Sequence, residues 1–113
     1  MELLPKYWPG FPYSELWRSY DVFLPMAYFT YRAHGTAPVA RYVTRSVEII
    51  RARTGDPSVP IHVIGGVSQK TGAAEARGFV SAVRSSRTLG FSLYDFAGTK
   101  PAVWRTLTAA PTQ

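Results

Sequence analysis

The chain has 113 residues, which is enough for one small domain. Apolar residues make up 46% of it and charged residues 18%, so it has ample material for a core and no signature of disorder. It contains no cysteine, which excludes disulfides, thiolate metal sites and cysteine nucleophiles and leaves the redox compartment open.

The formal net charge of +6 raises the question of nucleic-acid binding, which depends on where the basic residues lie. They are dispersed at intervals that suit the solvated outer faces of two helices. No run alternates basic with aromatic residues as a strand-borne nucleic-acid surface would. We therefore expect no nucleic-acid partner. The dispersed residues are Arg41, Arg45, Arg51, Arg53, Arg77, Arg84 and Arg87.

The sequence indicates no metal site, no cofactor and no membrane segment. His34 and His62 are far apart and show no ligand-like spacing. Residues 1–6 lack the basic-then-apolar order of a signal peptide, and no apolar run approaches the ~20 residues of a membrane span. We expect the chain as written to be cytoplasmic and without a membrane partner, although a longer parent protein could carry a signal upstream.

The first predicted elements are a connector and a strand. Residues 1–20 are rich in aromatic residues and proline, and they predict a loop followed by a short helix over 14–19. Residues 21–28 are apolar almost without alternation, which is typical of a parallel strand covered on both faces. Pro25 has no N–H for a ladder hydrogen bond, so we expect a bulge or local break there.

A helix and a second strand follow. Apolar residues at helical spacing after Thr36 predict a helix that ends near Gly55. Residues 61–67 form another apolar run, which predicts a buried strand broken at its end by Gly65-Gly66.

The last elements repeat this order. Ser68 or Thr71 can cap a second amphipathic helix, and residues 90–96 predict the third strand. Pro101 then lies in the first turn of a short final helix that carries Trp104.

The alternation of strands and helices predicts an α/β fold with three parallel strands joined by crossover helices. Three such strands would leave open sheet edges and one poorly covered face, so the pattern indicates missing neighbours. We therefore expect residues 1–113 to form a single partial domain whose strands are adjacent in chain order. Self-association through the open edges is the expected consequence.

Three segments together resemble a known family, namely residues 20–28, residues 61–66 and residues 90–96, with Trp104 behind the last. They resemble strands six to eight of glycoside-hydrolase-like TIM barrels, including uncharacterised bacterial hydrolase-like members. The resemblance covers nearly the whole chain and implies that it is the C-terminal portion of a (β/α)8 barrel. A complete barrel needs roughly 250 residues, so the chain would be a fragment of one.

One motif is similar to a particular branch of that family. Met26-Ala27-Tyr28 resembles the sixth-strand Met-x-Tyr of chitinase-type barrels. That branch follows its Tyr with Asp, where this chain has Phe29, and Tyr94 stands where the branch has an eighth-strand Trp. The acidic fourth-strand motif that supplies the general acid has no counterpart in this chain.

The resemblance places a site at the C-terminal ends of the strands. Aromatic rings there can stack on sugar rings, and charged side chains can bond to sugar hydroxyls. Asp95 is the candidate catalytic residue, because a carboxylate after an apolar strand is either paired or placed at the cleft. The competing explanations are an Asp95–Arg32 ion pair and core positions for Tyr28 and Tyr94. The expected substrate-binding residues are Tyr28, Tyr31, Arg32, Gly65, Gly66 and Tyr94, with no metal ligand. We expect the missing side chains of Gly65 and Gly66 to leave room for the ligand.

Glycoside hydrolysis normally needs two carboxylates, and Asp95 is the one suitable acidic residue at these strand ends. The expected function is therefore that of a carbohydrate-active barrel fragment, inactive by itself, with carbohydrate as its partner. One alternative is a phosphate-binding barrel fragment, in which Gly65-Gly66-Val67-Ser68 would hold phosphate on backbone N–H groups. The other is a non-enzymatic remnant or interaction module.

Overall fold

The computed structural model describes residues 10–95 and 97–109 of the chain. Its helices are α1 (Tyr13–Ser19), α2 (Thr36–Thr54), α3 (Ala73–Ser85) and α4 (Pro101–Thr108). Its strands are β1 (His62–Val67), between α2 and α3, and β2 (Gly90–Tyr94), between α3 and α4. Single turns of 3-10 helix occupy Phe29–Tyr31 and Ser68–Lys70. The predicted helices are present, while Phe96, the predicted end of the third strand, and residues 1–9 of the predicted connector lie outside the described residues.

The predicted partial (β/α)8 barrel with three parallel strands is wrong. In the described part of the chain the sheet is open and has two strands, β1 and β2, which run parallel. Residues 21–28, predicted as the first strand, form two isolated parallel bridges, Phe23 with Ile61 and Met26 with Ile64. The described residues therefore form a small α/β unit with four helices and a two-stranded sheet.

Pro25 explains why the segment before β1 does not continue the ladder. The Phe23 N–H donates to Pro60 O at 3.0 Å, and the Ala27 N–H donates to Ile64 O at 2.8 Å. In a regular parallel ladder the residue midway between them would also donate, but proline has no N–H. The local break expected at Pro25 therefore reduces the segment to two bridges.

The helices cover one face of the sheet and leave the other face open. Along β1, Val63 is fully buried while His62 and Ile64 are partly exposed, as strand alternation predicts. Met26 lies beside Ile64 on the open side and is 67% exposed. The core forms between α2, α3 and the covered face. Its fully buried members include Phe29, Val39, Val43, Ile61, Val63 and Phe79.

A close junction joins the N-terminal part of α2 to α3. Gly78 lies where the backbone of α3 closely approaches α2, and a Cβ on this residue would overlap the carbonyl oxygen of Thr36. The Thr36 Oγ1 donates to Ala74 O at 3.0 Å. Glycine is required at this contact because the backbone of one helix approaches the other directly.

Glu75 adds hydrogen bonds to this junction. Its Oε2 accepts from the Gly35 N–H at 2.6 Å, and its Oε1 accepts from the Gly72 N–H at 3.1 Å. The hydrogen bond from Gly35 is the main cause that holds the pKa of Glu75 below its ordinary value of 4.5, and His34 acts in the same direction. The ionised carboxylate therefore stabilises the folded chain.

A Glu75→Gln variant should lose about 1 kcal/mol of stability near neutral pH, because an amide oxygen accepts these bonds more weakly. Since the folded-state pKa of Glu75 is depressed, its contribution is present above the unfolded value near 4.5 and is lost as the pH falls toward the folded-state pKa. Urea unfolding between about pH 7 and pH 3 should show the two proteins converging at the acid end. The exposed Glu48→Gln on α2 is the matched control and should change little. A stability difference that stays constant with pH would contradict this prediction.

Candidate functional site

The C-terminal ends of β1 and β2 are tied together by side-chain hydroxyls. The Ser68 Oγ, just after β1, donates to the backbone oxygen of Asp95, just after β2. The Thr99 Oγ1 donates to the same oxygen at 2.7 Å. The Thr30 Oγ1 accepts from the Val67 N–H at 3.2 Å and so joins the 3-10 turn Phe29–Tyr31 to the end of β1. Hydrogen bonds therefore fix the edge of the sheet at which the sequence predicts a site.

Asp95 is exposed at this edge, and its side chain makes one hydrogen bond to the part of the chain that the structure describes. The Asp95 Oδ1 accepts from the Gly98 N–H at 3.2 Å. Within residues 10–95 and 97–109 no ion pair joins Asp95 to Arg32. Arg32 instead lies near Tyr42 on α2, where burial raises the pKa of the phenol and the Arg32 charge opposes that rise. The ion-pair explanation for Asp95 is therefore wrong.

The predicted tyrosines differ in their surroundings. Tyr31 is 59% exposed and Tyr94 is 58% exposed, whereas Tyr28 is partly buried. The Lys70 Nζ lies 5.0 Å from the centroid of the Tyr31 ring, which is a cation–π geometry. Tyr94 is thus no core residue. A ligand that stacked on this face of Tyr31 would have to displace Lys70.

Side chains from other parts of the chain fill the space beside Gly65 and Gly66. A Cβ on Gly65 would lie 2.8 Å from Leu93 and 2.9 Å from Phe79, and a Cβ on Gly66 would overlap the Thr30 side chain. The space that the sequence suggested for a ligand is therefore filled. These glycines serve packing, and their contact with a ligand stays a prediction.

A cleft of about 310 Å³ opens between β2 and α4, beside Asp95. Phe91, Leu93 and Leu107 supply apolar walls, and the side chain of Trp104, 37% exposed, adds an indole. Asp95 is the one acidic residue among the described residues that line it. The lining is formed by Phe91, Ser92, Leu93, Asp95, Thr99, Trp104, Leu107 and Thr108.

Sequence reasoning identified Asp95 but missed the part of this cleft that α4 supplies. Trp104, Leu107 and Thr108 lie at i, i+3 and i+4, a spacing that places them on one face of a helix. That spacing was the available signal. It shows that the three residues share a face, but it does not show that the face borders β2 at Asp95.

The described residues show neither a metal cluster nor a membrane-spanning helix. Over residues 10–95 and 97–109, no three side chains of His, Cys, Asp or Glu come together as a metal site would need. In the same part of the chain, every helix is too short or too polar to cross a membrane.

Comparisons of the chain with protein-family models, curated proteins and solved structures gave no match. The resemblance to glycoside-hydrolase-like barrels therefore stays a prediction from the sequence. The cleft between β2 and α4 is the feature of the described residues that suits a ligand.

Proposed function

We propose that the chain binds a neutral carbohydrate in the cleft between β2 and α4. The observation that carries the proposal is that one cleft of about 310 Å³ brings together the partly exposed Trp104 indole and the exposed Asp95 carboxylate. Sugar rings present apolar C–H faces to aromatic rings and hydroxyls to carboxylates. The resemblance of the sequence to carbohydrate-active barrels supports the same class of ligand.

Hydroxyl groups supply further hydrogen-bonding capacity in the cleft. The Ser92 Oγ lies 3.2 Å from His62 Nε2. Thr99 and Thr108 donate their hydroxyl protons to backbone oxygens, which leaves the hydroxyl oxygens able to accept from a ligand. Asp95 is the one charged residue among the described lining residues. A single negative charge with neutral hydroxyls around it favours a neutral sugar over an anionic one.

The size of the cleft limits the ligand. Small-molecule sites span about 300–1,000 Å³, and this cleft lies at the lower end of that range. A monosaccharide, or one end of a longer chain, therefore fits better than several enclosed sugar units.

Binding without hydrolysis is the expected outcome for the chain by itself. The usual mechanism needs a second carboxylate about 5–9.5 Å from the first. Asp95 is the one acidic residue among the described residues that line the cleft. The Glu75 carboxylate already accepts from Gly35 and Gly72 at the junction of α2 and α3.

The phosphate alternative has less support, because backbone N–H groups that it needs are already used. The Val67 N–H donates to Thr30, and the Gly72 N–H before α3 donates to Glu75. A carboxylate at this helix N-terminus would also repel a phosphate.

Titration of the whole chain with neutral glucose-based and N-acetylglucosamine-based disaccharides, followed by NMR, tests the proposal. The Trp104 indole signal and the amides of β2 should shift. Asp95→Asn should weaken binding by roughly threefold to tenfold, because an amide is a weaker acceptor than a carboxylate. Trp104→Ala should weaken it further by removing the stacking surface. Asp21→Asn is the matched control, because Asp21 is exposed and does not line the cleft. It begins the segment of residues 21–28, whereas Asp95 follows the end of β2.

Three outcomes would overturn the proposal. Inorganic phosphate that shifts the amides of residues 65–68, with no response to sugars, would assign the phosphate function instead. Sugar-induced shifts at Tyr31 and Tyr94 alone would place the ligand on the tyrosines rather than in the cleft. A response to neither ligand would favour the interaction module.

A further inference from the structure

The outer edge of residues 23–27 carries unused backbone hydrogen-bonding groups. Phe23, Pro25 and Ala27 turn backbone groups toward β1 and the residues just before it, and they bond there. Because alternate residues of an extended segment face opposite sides, Leu24 and Met26 turn their N–H and C=O groups outward. Among the residues that the structure describes, none of these groups of Leu24 and Met26 has a hydrogen-bond partner.

An apolar groove of about 240 Å³ lies along this edge, between α1 and α2. Leu16 of α1 and Ile49 and Ile50 of α2 contribute to its walls, and its described lining contains no charged residue. The Tyr42 and Ser46 hydroxyls are polar points in it, and the Ser46 Oγ donates to Tyr42 O at 3.0 Å. Unpaired backbone groups therefore stand beside a surface that suits apolar side chains.

We propose that this edge binds an extended segment of another polypeptide, which adds a strand beside residues 23–27. The backbone of the added strand pairs with the N–H and C=O groups of Leu24 and Met26, and its alternate side chains enter the groove. A bound helix or a small apolar molecule would fill the groove but leave these backbone groups unpaired. An added strand uses both features of the edge.

Charge defines the partner further. The chain carries a net charge of +6, which favours an acidic partner and disfavours a second copy of itself. Arg32 is exposed, and its charge acts on Tyr42, one of the groove residues. The partner strand therefore has apolar residues at alternate positions and acidic residues beside them. This surface borders residues 23–27, whereas the carbohydrate cleft borders β2 and α4, and the two share no lining residue. The two proposals can therefore be tested independently.

The test uses the whole chain and a capped peptide of about ten residues in which valine alternates with threonine and glutamate stands at both ends. Two further forms of the peptide are N-methylated at alternate residues, one at the odd positions and one at the even positions. Because one edge of a strand uses the amides of alternate residues only, one methylated form should bind like the parent. The other should lose at least about tenfold in affinity. The Leu24 and Met26 amides should shift and become protected from hydrogen exchange.

Matched substitutions locate the site on the protein. Leu24 is 54% exposed and lines the groove. Leu89 is 61% exposed and immediately precedes β2, which is separated from residues 23–27 by β1. Leu24→Lys should weaken binding by about tenfold, because it removes an apolar wall of the groove and puts a hydrated ammonium group where an apolar side chain would enter. Leu89→Lys adds the same charge away from the groove and should leave binding unchanged.

Several results would overturn this proposal. They are no binding of the peptide at millimolar concentration, binding that is equally sensitive to both methylation patterns, and equal effects of the two lysine substitutions. A dimer in sedimentation that Leu24→Lys converts to a monomer would assign the edge to a second copy of the chain, which also contradicts the proposal.

Discussion

Replacing Phe79 with alanine is expected to lower the free energy of unfolding by about 3–5 kcal/mol. Phe79 is fully buried on α3, and its ring centroid lies 5.4 Å from that of Phe29 and 5.7 Å from that of Phe91. Removing the ring leaves a cavity where α3, β2 and the turn at Phe29 meet. Gly65 of β1 borders the same space and has no side chain that could move into it, so the cavity should collapse only in part.

Urea unfolding followed by tryptophan fluorescence measures this effect. Phe79→Leu keeps most of the volume and should cost less, about 1.5 kcal/mol or below. Tyr20→Ala removes an aromatic ring that is 64% exposed, and it should stay within about 0.5 kcal/mol of the original chain. Equal losses for Phe79→Ala and Tyr20→Ala would show that the Phe79 ring is not at the centre of the core.

Gly78→Ala is expected to destabilise the chain by about 2–3 kcal/mol, although alanine in a helix interior normally stabilises by about 1 kcal/mol relative to glycine. The sign is reversed because the added Cβ would overlap the carbonyl oxygen of Thr36. That oxygen belongs to the backbone of α2 and cannot rotate away as a side chain would. The bonds from Gly35 to Glu75 and from Thr36 to Ala74 also resist separation of the two helices.

Ser81→Ala is the control for Gly78→Ala, since Ser81 is exposed on the same helix. It should be neutral or slightly stabilising because alanine has the higher helix propensity. Measured by the same urea unfolding, a stabilised Gly78→Ala protein would mean that α2 and α3 are not in backbone contact at this residue.

The amphipathic helices could be predicted from the sequence because each has a continuous apolar face. Val39, Val43 and Val47 recur at helical spacing on α2 and are all buried in the structure. β1 could also be predicted, because residues 61–67 form a continuous apolar run. The spacing of apolar residues along a helix is a property of the local sequence, so it predicts the helix without any knowledge of the tertiary structure.

The number of strands could not be predicted in the same way. The residues around Pro25 have the apolar composition of a buried strand, yet a strand also needs a continuous ladder with its neighbour. Composition and burial predict where an extended segment lies, whereas the missing proline N–H decides how far it pairs. Pro25 indicates a break in the ladder, but the apolar composition of residues 21–28 still predicts a strand of a larger barrel.

The candidate site was predicted only in part, because its two walls are distant in sequence. Asp95 stood out as a carboxylate after an apolar strand, which is a local signal. Trp104 was assigned to a helix, but the distance between that helix and β2 depends on the loop between them. Gly65 and Gly66 were interpreted as room for a ligand, because a sequence does not show which side chains approach a glycine from elsewhere in the fold.

Two of the hydrogen bonds at Asp95 do not depend on its side chain. Ser68 and Thr99 donate to the backbone oxygen of this residue rather than to its carboxylate. Every amino acid has that oxygen, so the loop keeps these two hydrogen bonds whatever side chain residue 95 carries. Selection, or a protein engineer, can therefore exchange the chemical group presented at this cleft by a single codon change that keeps these two hydrogen bonds and loses the one from the Gly98 N–H to the carboxylate.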